Sequence, residues 1–232
     1  MMKNLVCILI FCCVALADSA QEAMSLYSQG QFLAAAKMFA ELNTAKNSAS
    51  AARAYSVYAL TQPETQREKL YIQAENLAKK AIAQDDNLAD GYFELARAIG
   101  QLGVLRGIGA ALIQGTGSKI KQLFDQTLEL QPNHAGAMVG LAVWHTEITA
   151  RGSLAALSMG ADARQIEPLF KQALQLAPNN IGFRLEYAKA YLTLNKPEQA
   201  REQLQYATRI AVKDAEDRLY LERVKFELQR LP

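Results

Sequence analysis

The chain has little cysteine, histidine or tryptophan, and each shortage removes a class of chemistry. Its 3 cysteines, Cys7, Cys12 and Cys13, all fall within the first thirteen of 232 residues. The body therefore has no thiol for a disulfide framework, a cysteine-rich zinc site or a cysteine nucleophile. The 2 histidines, His134 and His145, stand eleven residues apart. At that spacing they are not an i, i+4 metal pair, being about 16 Å apart along a helix, so the expected metal site is none. No nucleophile elbow or other catalytic signature is present, and the expected catalytic residues and cofactors are likewise none. A surplus of one charge is missing too: 25 Lys and Arg balance 23 Asp and Glu. A net charge of +2 argues against a nucleic-acid partner or a polybasic membrane binder. Half the residues are apolar and 21% are charged, a globular composition.

One apolar run stands out, the thirteen residues Leu5–Ala17, preceded by Lys3 and followed by Asp18, Ser19 and Ala20. A basic start, a short apolar stretch and small residues at a cut site predict a secretory signal over residues 1–20. Cleavage fits after Ala17 or after Ala20. Thirteen helical residues reach only about 20 Å, short of the ~30 Å of a bilayer core, so no stable membrane insertion is expected after cleavage. A lipoprotein signal is excluded because Phe11 precedes Cys12 and Val6 precedes Cys7. The expected location is periplasmic or secreted.

The rest repeats. Three stretches starting at Ala74, Lys121 and Glu167 align at an offset of 46: Leu77, Leu123 and Leu169; Ala78, Phe124 and Phe170; Ile82, Leu128 and Leu174. The breaks Asp86-Asn87, Pro132-Asn133 and Pro178-Asn179 align as well, and the next helix follows with Leu95-Ala96, Leu141-Ala142 and Tyr187-Ala188. The apolar period is that of an α-helix, and Pro with Asn after it marks a helix stop. The sequence predicts an all-α chain of about eleven helices with no sheet. A single repeat domain is expected over 21–232, closed by a capping helix over 214–231. In that helix Tyr220, Val224, Leu228 and Leu231 form the buried stripe, and Glu216, Arg218, Glu222 and Arg223 the wet face.

These marks resemble the tetratricopeptide repeat. The best matching unit is Ile181–Val212, with Tyr187-Ala188, Tyr191, Asn195, Ala200, Leu204 and Ala207 in register. A second opens the body with Leu26, Gly30, Phe32, Ala35, Phe39 and Leu42. The central units exceed the usual ~34 residues by a dozen. Their insertions are alike: Arg106-Gly107 leads through Ala110-Ala111-Leu112 to Gly115, and Arg151-Gly152 through Ala155-Ala156-Leu157 to Gly160. This long-hairpin form resembles the helical domain of regulator of microtubule dynamics proteins and their exported bacterial relatives. The resemblance implies a right-handed solenoid of antiparallel helical hairpins and no inherited chemistry.

Two segments imitate reactive motifs. Gly107, Gly109, Gly115 and Gly117 follow no strand, and Ser118 separates Gly117 from Lys119, so neither a dinucleotide loop nor a phosphate loop is formed. Ser118 is expected to cap a helix starting at Lys119, and Asp162 with Gln165 to form a capping box. His145 falls where Ile99 and Tyr191 fall in the sister units, a helix-packing position.

The tetratricopeptide resemblance also implies a concave face lined by the first helix of each hairpin. By its register the groove positions are Phe93, Arg97, Val139, Val143, Glu147, Leu185 and Lys189. Their mixture of apolar and singly charged side chains suits another protein or a peptide segment. The expected function is a non-catalytic adaptor of the cell envelope. The alternative is a ligand-binding accessory component of an envelope transport system, which needs a closed apolar chamber between hairpins.

Overall fold

A computed structural model describes residues 17–107 and 115–231. The expected leader up to residue 16 and the Ala110-Ala111-Leu112 stretch lie outside the described residues. Among the described residues there is no strand. The chain divides into two compact units, Met1–Ala98 and Ile99–Pro232.

In the first unit α1 covers 17–28, α2 Phe32–Glu41, α3 Ala45–Leu60, α4 Glu64–Gln84, and α5 starts at Ala89 and runs to Arg106, across the division. α2 packs on α3, and α3 on α4. Small side chains let these helices approach: Ala51, Ala52, Ala54 and Ala59 of α3 and Ala74, Ala78 and Ala81 of α4 are fully buried. Gly91 of α5 lies so near Ile82 that a β-carbon there would stand 3.0 Å from its side chain.

The second unit continues with α6 (Thr116–Leu130), α7 (Ala135–Thr149), the short α8 (Ser153–Met159), a 3-10 turn (Ala163–Gln165), α9 (Ile166–Leu176), α10 (Ile181–Thr193), α11 (Pro197–Ala207) and α12 (Ala215–Arg230). α7 is its hub, packed by α6, α8, α9 and α10, while α12 covers α10 and α11. The core holds Ile166, Phe170, Ile181, Leu185, Leu204 and Val224, all essentially without exposure. Tyr220, Leu221, Leu228 and Leu231 of the last helix lie partly buried against it. Glu216, expected on the wet face, is instead buried, because it sits in the first turn where α12 approaches the core.

The 46-residue offset reappears bond for bond. At the end of α4, α6 and α9 the N–H groups of Asp85, Gln131 and Ala177 donate to the carbonyls of Ala81, Thr127 and Ala173. Three residues on, Leu88, His134 and Asn180 donate to Asp85, Gln131 and Ala177. The next helices start at Ala89, Ala135 and Ile181. The side chains of His134 and Asn180 then cap α7 and α10, accepting from Ala137 N–H and Phe183 N–H. The two tetratricopeptide-like matches share their turn as well. Gln31 and Lys196 donate to Leu26 and Tyr191, closing a six-residue loop through Gly30 and Asn195, both at positive φ.

The predicted helix start at Lys119 is three residues late. α6 begins at Thr116 because Gly115, at φ 73, turns the chain in the left-handed region, and Ser118 lies within the helix. Asp162 does cap, but its partner is the N–H of Arg164 in the 3-10 turn, which delays α9 until Ile166.

Candidate partner-binding face

The seven groove positions lie on three helices, and the structure treats them differently. Phe93 and Arg97 belong to α5 in the first unit. Arg97 is built into that unit: Nη2 lies 2.6 Å from Glu94 Oε2 and donates to the carbonyl of Arg53, and the guanidinium rests over the Phe93 ring. Its side chain is only 20% exposed. Arg53 of α3 in turn donates from Nε to the Tyr27 hydroxyl. A chain of polar contacts thus runs from α1 through α3 to α5 within the first unit, with Phe93 half-buried beside it.

The remaining five stand on α7 and α10, which pack directly on each other. Two of them are corrected: Val139 and Leu185 are core residues, Leu185 with no exposed surface at all. α7 and α10 are enclosed on several sides, so their apolar stripe is wider than a one-faced register allows. Val143 is half-buried, and Glu147 and Lys189 reach solvent. Each charge has a mate on its own helix or the turn beyond: Arg151 Nη1 contacts Glu147 at 3.2 Å from Oε2, and Lys189 Nζ lies 2.8 Å from Glu186 Oε1. Exposed pairs of this kind hold together weakly and can be traded for a partner's charges.

Three groups beside this face escape sequence reasoning. Arg184 of α10 stacks its guanidinium 3.6 Å from the Tyr206 ring centroid and donates to Gln203 Oε1 and the Pro178 carbonyl. Burial lowers its pKa. It ties the turn before α10 to α11, and a long side chain reaching between helices leaves no period to read. Glu167 of α9 takes Lys196 Nζ at 3.2 Å and Lys171 at 3.4 Å, and Lys196 first of all holds its carboxyl below the usual range. The Tyr191 hydroxyl donates to Tyr187 at 2.6 Å, and burial drives the Tyr187 phenol far above its ordinary value.

His145 occupies the packing position expected of it, buried edge-on against Trp144. Its Nδ1 accepts the N–H of Asp162. His134 serves at the other end of α7 as cap, so the imidazoles do not meet. Among the described residues no cluster of three metal-ligating side chains forms. No described helix is long and apolar enough to cross a membrane. A pocket of about 360 Å³ opens at the edge of the second unit, lined by Asn179, Tyr206, Arg209, Ile210, Ala211 and Lys213. Its lining mixes polar and apolar groups and it opens to solvent, unlike a closed apolar chamber.

Residues 18–159, more than half of the chain, match the family model described as regulator of microtubule dynamics protein 1-3. The chain belongs to this family. In this member the match is followed, over residues 157–218, by a match to the tetratricopeptide repeat. No curated protein sequence matches the chain. Among solved structures, a thermophilic tetratricopeptide-repeat protein of Thermus thermophilus is similar with a TM-score of 0.64 and 18% identity, over 91% of this chain and 99% of that one. The pilF protein of Pseudomonas aeruginosa shows a TM-score of 0.46 and 18% identity, over 94% of this chain and 91% of its own. The MamA protein shows 0.42 and 15%, over 94% and 98%. The Thermus likeness establishes the fold as that of tetratricopeptide-type helical-hairpin repeats.

Proposed function

We propose that this family member is an exported bacterial adaptor of the cell envelope that holds a segment of another protein without catalysis. Repeat proteins of this fold use the surface lined by their first helices as an extended binding face. The observation that carries the reading is the pairing of α7 with α10: two adjacent first helices present Val143, Glu147 and Lys189 at or near solvent above a sealed core. An apolar contact flanked by replaceable ion pairs suits a peptide or helix better than a sugar or phosphate. The leader-like Lys3, Leu5–Ala17 and Asp18-Ser19-Ala20 pattern supports export. That this pocket is open and of mixed lining favours the adaptor over a small-ligand carrier.

Photo-crosslinking residues placed at Val143 and Lys189, in the native host, test the reading. Both positions should capture one and the same partner, whereas Ile72 on α4 should not. Capture at none of them, or equally at all three, overturns it.

A further inference from the structure

The segment between Gly152 and Asp162 leaves the repeat and returns to it, lying against α7 but burying none of its own side chains. None of the residues of α8 is buried, and Leu154 and Leu157 are 80% and 82% exposed. The hydrogen bonds of this excursion close on itself: Ala156 N–H to Gly152, Gly160 N–H to Leu157 and Ala161 N–H to Ala156. Glycines at positive φ bracket it, Gly152 at 103° and Gly160 at 71°. At both ends the chain thus turns through a conformation that residues with a side chain rarely adopt.

At its far end, beside the 3-10 turn that packs on α7, the Asp162 N–H donates 3.0 Å to His145 Nδ1. To accept, that nitrogen must carry no proton, so the ring is neutral with its hydrogen on Nε2. We propose that neutral His145 is the latch of the α8 excursion and that a proton on Nδ1 opens it. The proton comes from solvent and converts the acceptor into a donor facing another donor. The bond is lost, and a cation is left where the ring is buried against Trp144.

The charged groups acting on the ring are Lys121 and Asp125 of α6 and Asp162 of the excursion, with Glu147 and Arg151 beyond it paired to each other. Lys121 and Asp125 are themselves 2.7 Å apart, and Asp162 is bound by Arg164 at 2.9 Å. Burial, then Lys121, lowers the histidine's pKa, and Asp162 and Asp125 only partly offset this. The latch is therefore fully closed above the free-histidine value of about 6.5 and is lost as pH falls through the lower folded-state value. Arg164 keeps the Asp162 carboxyl below its usual range, so that group stays ionised meanwhile.

Hydrogen exchange of the intact protein, corrected for intrinsic rates, tests this between pH 7.5 and pH 5.0. Amides in 153–162 should lose protection at least about fivefold at the acid end, while α10 stays protected. In His145→Asn an amide oxygen replaces Nδ1 as acceptor and does not titrate, so the pH dependence should vanish. Nitrogen NMR of the wild-type ring should show an unprotonated Nδ1 at pH 7.5, titrating together with the exchange; this arm stands even if the variant does not fold. Protection indifferent to pH, the same pH response in the variant, or a proton already on Nδ1 at pH 7.5 would each overturn the latch.

Discussion

The rings of Phe170 and Tyr187 lie stacked, 4.3 Å between centroids with planes 14° apart. The contact joins α9 to α10 across the Pro178-Asn179 break, and Phe170 has no exposed surface. Phe170→Ala should cost about 3–5 kcal/mol, since the enclosed site cannot collapse around the void. Chemical denaturation measures it, and a loss below ~1 kcal/mol would be incompatible with this core.

Phe124 takes the equivalent place in α6, but its neighbour is backbone. A methyl at Gly140 would overlap the Phe124 ring. Gly140→Ala should destabilise by roughly 1–3 kcal/mol despite its better helix propensity. Phe124→Leu combined with Gly140→Ala should recover part of that, a coupling read from a double-mutant cycle.

Arg97 and Lys189 share a register position but not a consequence. Arg97→Glu sets a second carboxylate against the buried Glu94 and should lower the melting temperature by several degrees. Lys189→Glu acts at an exposed pair and should shift stability by no more than ~1 kcal/mol while weakening partner capture. Melting curves and crosslinking yields of both variants decide it; equal melting losses would refute the distinction.

Glu167 gives an acid-side signature. Its carboxyl is held low by Lys196, so the stability it contributes is present above the ordinary carboxylate value of about 4.3 and is lost as pH falls below it. Both partners are more than a third exposed, which limits the contribution to less than about 1 kcal/mol. The difference in stability between wild type and Glu167→Gln should shrink from pH 6 to pH 3. A constant difference would mean that the charge contributes nothing.

Export predicts its own mass. Protein recovered from the native host should start at Asp18 or Gln21 on N-terminal sequencing, and a product that retains Met1 would contradict the leader.

Helix type, turn positions and the repeat offset were legible because each is encoded locally: an apolar period, a Pro-Asn break, an Asn or Gly at positive φ. The insertion after Arg151 was visible as an interruption, yet α8 within it was not. A seven-residue helix with no buried face has no contrast between sides for a pattern to reveal. At the candidate face the charged positions Glu147 and Lys189 were found, whereas Val139 and Leu185 were taken for surface. In a helix packed on several sides, an apolar residue off the main stripe looks the same in sequence whether it meets water or a neighbour. The links made by Arg53 and Arg184 span different helices, and no one-dimensional spacing announces them.

The superposable turns at Gln131–His134 and Ala177–Asn180 make length itself a quantised property of this chain. Cutting before Pro132 and rejoining at Pro178 brings together ends whose capping bonds are already alike. Loss or gain of one 46-residue block preserves which side of every later helix faces inward. A one- or two-residue insertion inside a helix instead rotates the rest of that helix by about 100° per residue and carries apolar side chains out into water.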